Sequence, residues 1–284
     1  MFGDCHIHMI LDGVYYRAAI DHQKIQPDED LIRQRLADYA ARGINYLRDG
    51  GDAWGVGLRA SQLAGEYGIT YRTPAFNICR KGHYGCFLGR GFSDFQEYRA
   101  LLKEVRDLGG HFVKIMVSGL MDFDRFGVIT DQPCSYELCH DMIACAHDHG
   151  FAVMAHANGT QAVANALRAG VDSVEHGAYL NQECLHLLAE SAAVWVPTLV
   201  TISNLVGTGR YPEEVLRPLL RLQQENVAYA ANIGAGIALG TDAGAYGVYH
   251  GKAVAEEFDL LKQCLGERTD EILSQGEAEI RKRF

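Results

Sequence analysis

Short apolar segments with the character of buried β-strands alternate with amphipathic segments along the chain. Eight segments have the length and the β-branched or aromatic content of strands. They are residues 2–9, 44–49, 69–75, 112–117, 152–156, 173–176, 194–200 and 237–241. Each is followed by a polar or glycine-rich turn, and most then lead into a helical pattern. This alternation predicts parallel strands, because a parallel pair needs a crossover connection.

The predicted helices combine an apolar stripe with recognisable ends. The segment 28–42 carries its apolar residues on one face and stops before Gly43, and glycine is common just after a helix. Ser135 is a suitable N-cap for the segment 135–149, which Gly150 follows. Further helices are predicted at residues 160–169, 181–191, 213–233 and 253–264.

Eight strand and helix units predict an α/β fold, a (β/α)8 TIM barrel. An open, doubly wound sheet is the competing architecture, but the GxGxxG turn that usually follows its first strand is not found there. The length of 284 residues suits one barrel, since such barrels typically take about 250. No linker or short repeat interrupts the pattern, so we expect residues 1–284 to form a single domain.

The composition and the charge of the chain indicate which kinds of binding partner are expected. A formal net charge of -10 argues against nucleic acid or an anionic membrane surface, since both select basic proteins. The N-terminus lacks the basic and apolar segments of a signal peptide, and no apolar run approaches the roughly 20 residues of a membrane span. We therefore expect a cytoplasmic protein with a small-molecule substrate. The eight cysteines could form a set of disulfides, but they contain no CxxC pair and several lie in apolar or helical stretches, so reduced thiols are expected.

Five of the predicted strands carry a histidine, lysine or aspartate where a barrel active site is built. These residues are His6, His8, Lys114, His156, His176 and Asp242. Side chains two apart on a strand share a face, so the first two histidines both point into the barrel. Imidazole and carboxylate groups suit zinc and neighbouring transition metals. Because active sites in this fold collect at the carboxyl ends of the strands, the set predicts a metal site there.

Each of these residues also has a simpler interpretation when taken alone. A single inward histidine is commonly a hydrogen-bonded core residue, Asp242 could cap the following turn, and Lys114 could line the barrel mouth. His83 and His250 follow strands on the active-site side, where substrate contact is one interpretation and a solvated loop is the other. Arg80, which precedes His83, has the same two interpretations.

The combined motifs resemble the amidohydrolase superfamily with a two-metal centre. The residues that carry the resemblance are Asp4-Cys5-His6-Ile7-His8, Val113-Lys114-Ile115-Met116, Ala155-His156-Ala157, Glu175-His176-Gly177 and Gly240-Thr241-Asp242-Ala243. They are most similar to the branch of imidazolonepropionase-related enzymes, prolidases and arginine carboxypeptidases. Members of this superfamily usually carry a small β-sandwich domain beside the barrel. Since the first strand here starts at residue 2, we expect a barrel without that domain, which could form a homo-oligomer.

The resemblance also implies roles for individual residues. His6, His8 and Asp242 would bind the first of two divalent metal ions, and His156 and His176 would bind the second. Lys114 would carry a carbamate that bridges the ions. Asp242 would transfer the proton from the attacking water to the leaving amine, and His83 would support the carbonyl oxygen of the substrate.

The leading functional hypothesis is hydrolysis of an amide or peptide bond in a dipeptide or N-acyl amino acid. A carboxylate of such a substrate could bind the basic loop that contains Arg80, Lys81 and His83. Cyclic amide, lactone or phosphoester hydrolysis uses the same centre and stays open, as do a mononuclear site and a barrel that binds metal without catalysis. Zinc is the expected metal, although manganese, cobalt and iron also accept these ligands.

Overall fold

The computed structural model describes residues 2–284 as parallel strands connected by helices. The strands are β1 Asp4–Ile7, β2 Tyr46–Asp49, β3 Thr70–Arg72, β4 Asn77–Arg80, β5 Arg90–Phe92, β6 Val113–Met116, β7 Val153–Ala157, β8 Ser173–His176, β9 Val194–Val196 and β10 Gly236–Ile237. The helices are α1 Tyr16–Gln23, α2 Glu29–Ala41, α3 Val56–Leu63, α4 Phe95–Asp107, α5 Tyr136–Asp148, α6 Thr160–Arg168, α7 Gln182–Glu190, α8 Val200–Ser203, α9 Glu213–Asn232, α10 Ala253–Leu265 and α11 Thr269–Arg283. Within this range, no helix combines the length and the apolar character that a membrane crossing requires.

The strands form two parallel sheets that meet where the chain returns to β1. One sheet has the order β1-β2-β3, and the other has the order β10-β9-β8-β7-β6-β4-β5. Backbone hydrogen bonds connect β1 to the segment after β10, from Cys5 N to Leu239 O (2.9 Å) and from Asp242 N to His6 O (2.7 Å). The first and last strand positions therefore lie side by side. The predicted (β/α)8 barrel is confirmed.

The third strand position of the barrel is divided between two strands. β3 pairs with β2, with Leu47 opposite Tyr71, whereas β4 pairs with β6, with Asn77 opposite Lys114. One strand was predicted at residues 69–75, and β4 and β5 were not predicted. The break contains Pro74, which has no N–H to donate to a sheet, and Ala75, whose φ of 66° is incompatible with an extended strand.

All six predicted helices are present, as α2, α5, α6, α7, α9 and α10, but five others were missed. Asp28 accepts the N–H of Leu31 at the start of α2, and Ser135 accepts the N–H of Leu138 at the start of α5. Helices α1, α3, α4, α8 and α11 were not predicted. The strand expected at residues 194–200 ends at residue 196, because the chain turns there and enters α8.

The expectation that all eight cysteines are reduced was wrong for one pair. Cys79 in β4 and Cys86 in the following loop form a disulfide, with Cα atoms 5.9 Å apart. The chain leaves β4 and turns back toward β5, which brings two cysteines seven positions apart in sequence into contact. The remaining six, Cys5, Cys134, Cys139, Cys145, Cys184 and Cys264, are free.

Helix α11 closes the end of the barrel opposite the strand termini that carry the histidines. Gly276 is buried where α11 crosses β10, and a Cβ atom at this position would overlap the carbonyl group of Ile237. The backbone of the helix can approach the strand this closely only because residue 276 has no side chain.

We predict that Gly276→Ala lowers the free energy of unfolding by about 1–3 kcal/mol, because the added methyl group must push α11 away from β10. Urea denaturation monitored by circular dichroism measures the change. Gly65→Ala is the matched control, since a Cβ at Gly65 meets no atom within 4 Å. Equal stability of the Gly276 variant and the wild type would contradict this account of the packing.

Candidate metal centre

Three potential metal ligands from the two ends of the chain meet at the carboxyl end of the barrel. One donor atom each of His6, His8 and Asp242 lies within 4.8 Å of the others. Asp242 Oδ1 is 3.5 Å from His6 Nε2 and 3.4 Å from His8 Nε2. The β1 strand supplies the histidines, and its hydrogen bonds with the segment after β10 place the carboxylate beside them. These three side chains could hold one ion.

The orientation of His6 is fixed from behind by a buried carboxylate. His6 Nδ1 donates to Glu175 Oε2 over 2.7 Å, and both side chains are fully buried. The other oxygen of Glu175 accepts hydrogen bonds from Arg48 Nη2 (2.9 Å) and from Ser173 Oγ (2.6 Å). His6 Nε2 therefore carries the lone pair and faces Asp242, with no hydrogen-bond partner of its own. A carboxylate behind a histidine is the usual support for a metal ligand.

Two further histidines lie beside this group on neighbouring strands. The rings of His156 and His176 have their centroids 4.6 Å apart, and the His6 ring is 5.0 Å from that of His176. His156 Nε2 donates to the carbonyl of Gly119 (3.1 Å), which leaves its Nδ1 as the lone-pair nitrogen. His176 Nδ1 forms a hydrogen bond with Thr198 Oγ1 (2.8 Å). Both rings are thus held in one orientation by neighbours outside the cavity.

Lys114 on β6 completes the cluster. Its side chain is 1% exposed, and its Nζ has no hydrogen-bond partner among the described residues. Burial lowers the pKa of Lys114 to about 8, against the opposing effect of Glu175. An isolated buried amine is costly because it has lost its hydration. A ligand or a covalent modification at Nζ would remove that cost.

Burial also controls the protonation of the other groups. Burial, together with the positive charge of Lys114, lowers the pKa of His8 and of His156 to about 3. The imidazoles are therefore neutral, which is the form that binds metals. Burial raises the pKa of Asp242 to about 7. A cation beside Asp242 would favour the ionised carboxylate, so the neutral histidines and this acid together fit a divalent metal ion.

The backbone around the site adopts conformations that side chains rarely tolerate. His176, Thr198 and Asp242 have φ values of 67°, 50° and 60°. All three follow or end strands at the carboxyl side of the barrel. Non-glycine residues with positive φ are uncommon and occur often at functional sites, where the surrounding structure holds them in place.

The cluster forms the floor of a cavity of about 450 Å³. All six predicted metal ligands line it, namely His6, His8, Lys114, His156, His176 and Asp242. Aromatic residues make up much of the remaining wall, including Tyr16, Tyr84, Phe87, Phe123, Tyr211 and Tyr246. The volume is in the range of sites that enclose small organic ligands.

The three residues predicted to contact substrate lie outside this lining. His83 Nδ1 forms a hydrogen bond with Asp131 Oδ1 (2.9 Å), and Arg80 Nη2 donates to the carbonyl of Gln132 (2.7 Å). His250 is half-buried, and its Nε2 donates to Leu11 O while its Nδ1 contacts the hydroxyl of Tyr39. Their proposed contacts with substrate stay predictions, and each side chain already has a protein partner.

Tyr84 lines the cavity where its neighbour His83 was expected. Asp131 accepts both the His83 side chain and the backbone N–H of Tyr84 (2.8 Å), which turns the histidine outward and the tyrosine inward. The centroid of the Tyr84 ring lies 4.8 Å from that of the His156 ring, and the two planes are tilted by 39°. Because a loop has no side-chain periodicity, no pattern along the chain predicts which of the two side chains faces the cavity. Glu175 belongs to the motif Glu175-His176-Gly177, but its hydrogen bond to His6 depends on how distant strands are arranged in the barrel.

Comparisons with known proteins identify several similar sequences. A segment of 127 residues is 34% identical to an uncharacterised protein of Mycobacterium tuberculosis, and it covers 43% of this chain and 34% of that one. An alignment of 281 residues shows 26% identity to ochratoxinase of Aspergillus niger, with 84% of this chain and 56% of the relative covered. The chain thus spans between a third and just over half of the length of these curated relatives.

Solved structures extend the likeness to the whole barrel. A Xaa-Pro dipeptidase with bound methionine superposes with a TM-score of 0.76 at 21% identity, over 99% of this chain and 75% of that one. The ochratoxinase of A. niger gives a TM-score of 0.76 at 19% identity, over 99% and 70%. These likenesses show the fold. The sequence model of the amidohydrolase family matches residues 64–269, well over half of the chain. This chain therefore belongs to the amidohydrolase family.

Proposed function

We propose that the protein is a metal-dependent hydrolase that cleaves an amide or peptide bond in a small substrate, such as a dipeptide or an N-acyl amino acid. The observation that carries the proposal is the group of His6, His8 and Asp242, whose donor atoms converge within 4.8 Å on the floor of a cavity. Family membership supports hydrolysis as the type of reaction. Zinc is the proposed metal, because neutral imidazole and carboxylate are ligands that it favours.

Two ions are proposed, one held by His6, His8 and Asp242 and one by His156 and His176. The hydrogen bonds that fix the rings of His6, His156 and His176 support this assignment, since each leaves a lone pair available on the other nitrogen of its ring. When bound, such ions lower the pKa of a coordinated water and polarise the scissile carbonyl group. Asp242 is the proposed proton carrier, because its carboxylate is the acidic side chain that lines the cavity.

Lys114 is proposed to act as a carbamate that bridges the two ions. A lysine ammonium has no lone pair for a metal, whereas the neutral amine can add carbon dioxide and release a proton, which gives a group with two oxygen ligands. The low pKa of Lys114 increases the neutral fraction of the amine near pH 7, and its Nζ has no competing partner among the described residues. Lys114 lies on β6, next to the strand that carries His156, and it lines the same cavity as both sets of histidines.

The proposed activity is tested with the metal-loaded protein on dipeptides, N-acyl amino acids, lactones and phosphotriesters. We expect hydrolysis of carboxylate-bearing amides, a loss of at least about 100-fold after chelation, and recovery with Zn²⁺. His8→Ala should lose activity and metal together, while the control His140→Ala, which replaces an exposed histidine, should keep both. Inactivity on every carboxylate-bearing amide would refute the proposal.

Replacement of Lys114 tests the bridge. Lys114→Ala should lose one or both metal ions per chain in elemental analysis. Wild-type protein in ¹³C-bicarbonate should show a carbamate carbon by NMR that the variant lacks. Lys103→Ala is the control, because Lys103 is an exposed surface lysine on α4. Full metal content in the Lys114 variant would instead indicate that the histidines and Asp242 hold the ions without a bridge.

Glu175→Gln tests the support of His6. The substitution keeps the shape of the side chain but removes the negative charge that fixes the Nδ1–H tautomer. We expect the dissociation constant for Zn²⁺ to rise by about 10–100-fold, measured by competition with a chelator of known affinity. Glu183→Gln, on the surface of α7, should change it little. Unchanged zinc affinity in the Glu175 variant would show that the carboxylate serves the fold alone.

A further inference from the structure

The rim of the cavity is divided into an apolar part and a cationic part. The apolar part comes from the chain after β1 and from the loop between β4 and β5. Tyr16 and Phe87 meet edge to face at 5.3 Å between ring centroids, and Tyr84 lies 5.7 Å from Phe87. Tyr16 and Phe87 are 41% and 42% exposed, although both are large and apolar. Aromatic rings exposed together at the mouth of a cavity indicate a surface that becomes buried by a ligand.

The cationic part is Arg210, held by two tyrosines. Its guanidinium carbon lies 4.0 Å from the ring centroid of Tyr246 and 5.5 Å from that of Tyr211. Phe123 packs against Tyr211 at 5.2 Å. Stacking on aromatic faces holds the planar guanidinium in place, and the two tyrosines carry no negative charge that would compete with an anion for it.

Arg210 is the free cation of this cavity. Among the described lining residues, lysine and arginine occur only at Lys114 and Arg210, and Lys114 lies at the floor beside the histidines. No carboxylate within residues 2–284 approaches Arg210 to salt-bridge distance, although many surface arginines have one. By contrast, Lys81 in the basic loop is paired with Glu97 over 2.9 Å. Arg210 is therefore the better candidate for an anionic substrate group.

We infer that the substrate is an amide with two unlike ends, a carboxylate that binds Arg210 and a large aromatic group that packs on Tyr16, Tyr84 and Phe87. The inference rests on the proposed function, and it narrows the substrate from small peptides in general to aryl-substituted N-acyl amino acids or dipeptides with an aromatic residue. A planar guanidinium can bind a carboxylate through two parallel hydrogen bonds, which fixes its position as well as its charge. The scissile bond then lies over the floor of the cavity, between its two attachment points.

The test is a binding experiment on metal-free protein, in which no turnover occurs. The probes are N-(2-naphthoyl)glycine, its carboxamide N-(2-naphthoyl)glycinamide, and N-acetylglycine, titrated by calorimetry. We expect N-(2-naphthoyl)glycine to bind most tightly. Arg210→Gln should weaken its binding by about 10–100-fold and change that of the carboxamide by less than about threefold, since only the acid offers a charge-assisted hydrogen bond. Arg210→Lys should give an intermediate loss.

Phe87→Ala supplies the second arm of the test. It should weaken the binding of both naphthoyl compounds by about 10-fold and leave the binding of N-acetylglycine unchanged, because the lost contact is apolar. The control for Arg210 is Arg217→Gln, an exposed arginine on α9 that pairs with Glu213. Circular dichroism verifies that each variant is folded.

Two results would overturn the inference. In the first, Arg210→Gln weakens the binding of the acid and of the carboxamide equally. In the second, the naphthoyl compounds bind no more tightly than N-acetylglycine. Either result, with amide hydrolysis by metal-loaded protein still observed, leaves the proposed function standing. Selective binding without any hydrolysis by metal-loaded protein supports the inferred ligand class and refutes the proposed function. The two claims can therefore fail separately.

Discussion

The hydrogen bonds of Arg48 in the barrel interior are the interaction on which the remainder of the site depends. Arg48 extends from β2 and donates to Cys5 O on β1 (2.7 Å), and to Ser173 Oγ (2.8 Å) and Glu175 Oε1 (2.9 Å) on β8. Arg48 and Glu175 are fully buried, and a buried ion pair is tolerated only when its hydrogen bonds are complete. Arg48 thereby connects three strands, β1, β2 and β8, two of which are distant from the third in sequence. Since Glu175 also accepts from His6, the same charges orient the first of the proposed metal ligands.

The barrel supplies the remaining geometry through its strand ends. Asp4 accepts the backbone N–H (2.9 Å) and the hydroxyl (2.7 Å) of Thr241, which holds the segment after β10 against β1 and places Asp242 opposite the two histidines. Trp195 Nε1 donates to the carbonyl of His176 (2.9 Å) and supports a residue whose φ is positive. Fixed donors of this kind lower the reorganisation that metal binding requires, because the ligands already point toward a common point.

Much of this site could be predicted from sequence because strands have a fixed period. The two-residue spacing of His6 and His8 placed both on one face, and the order of Lys114, His156, His176 and Asp242 followed the order of the strands. The division of the third strand at Pro74 depended on a local backbone turn instead. Tyr84, rather than His83, faces the cavity because Asp131, 47 residues away, binds the backbone of the tyrosine. Arg210 lies in a loop whose position is set by contacts with Tyr246, and neither loop has a pattern that reveals such contacts.

The central claim is that the buried histidines, Lys114 and Asp242 hold two metal ions. Anomalous diffraction at the zinc absorption edge, from crystals of zinc-loaded protein, tests it most directly. The account predicts two peaks, one bounded by His6, His8 and Asp242 and one by His156 and His176, with density that continues from Lys114 Nζ to both. Zinc bound elsewhere, or no peak at these side chains, would contradict it.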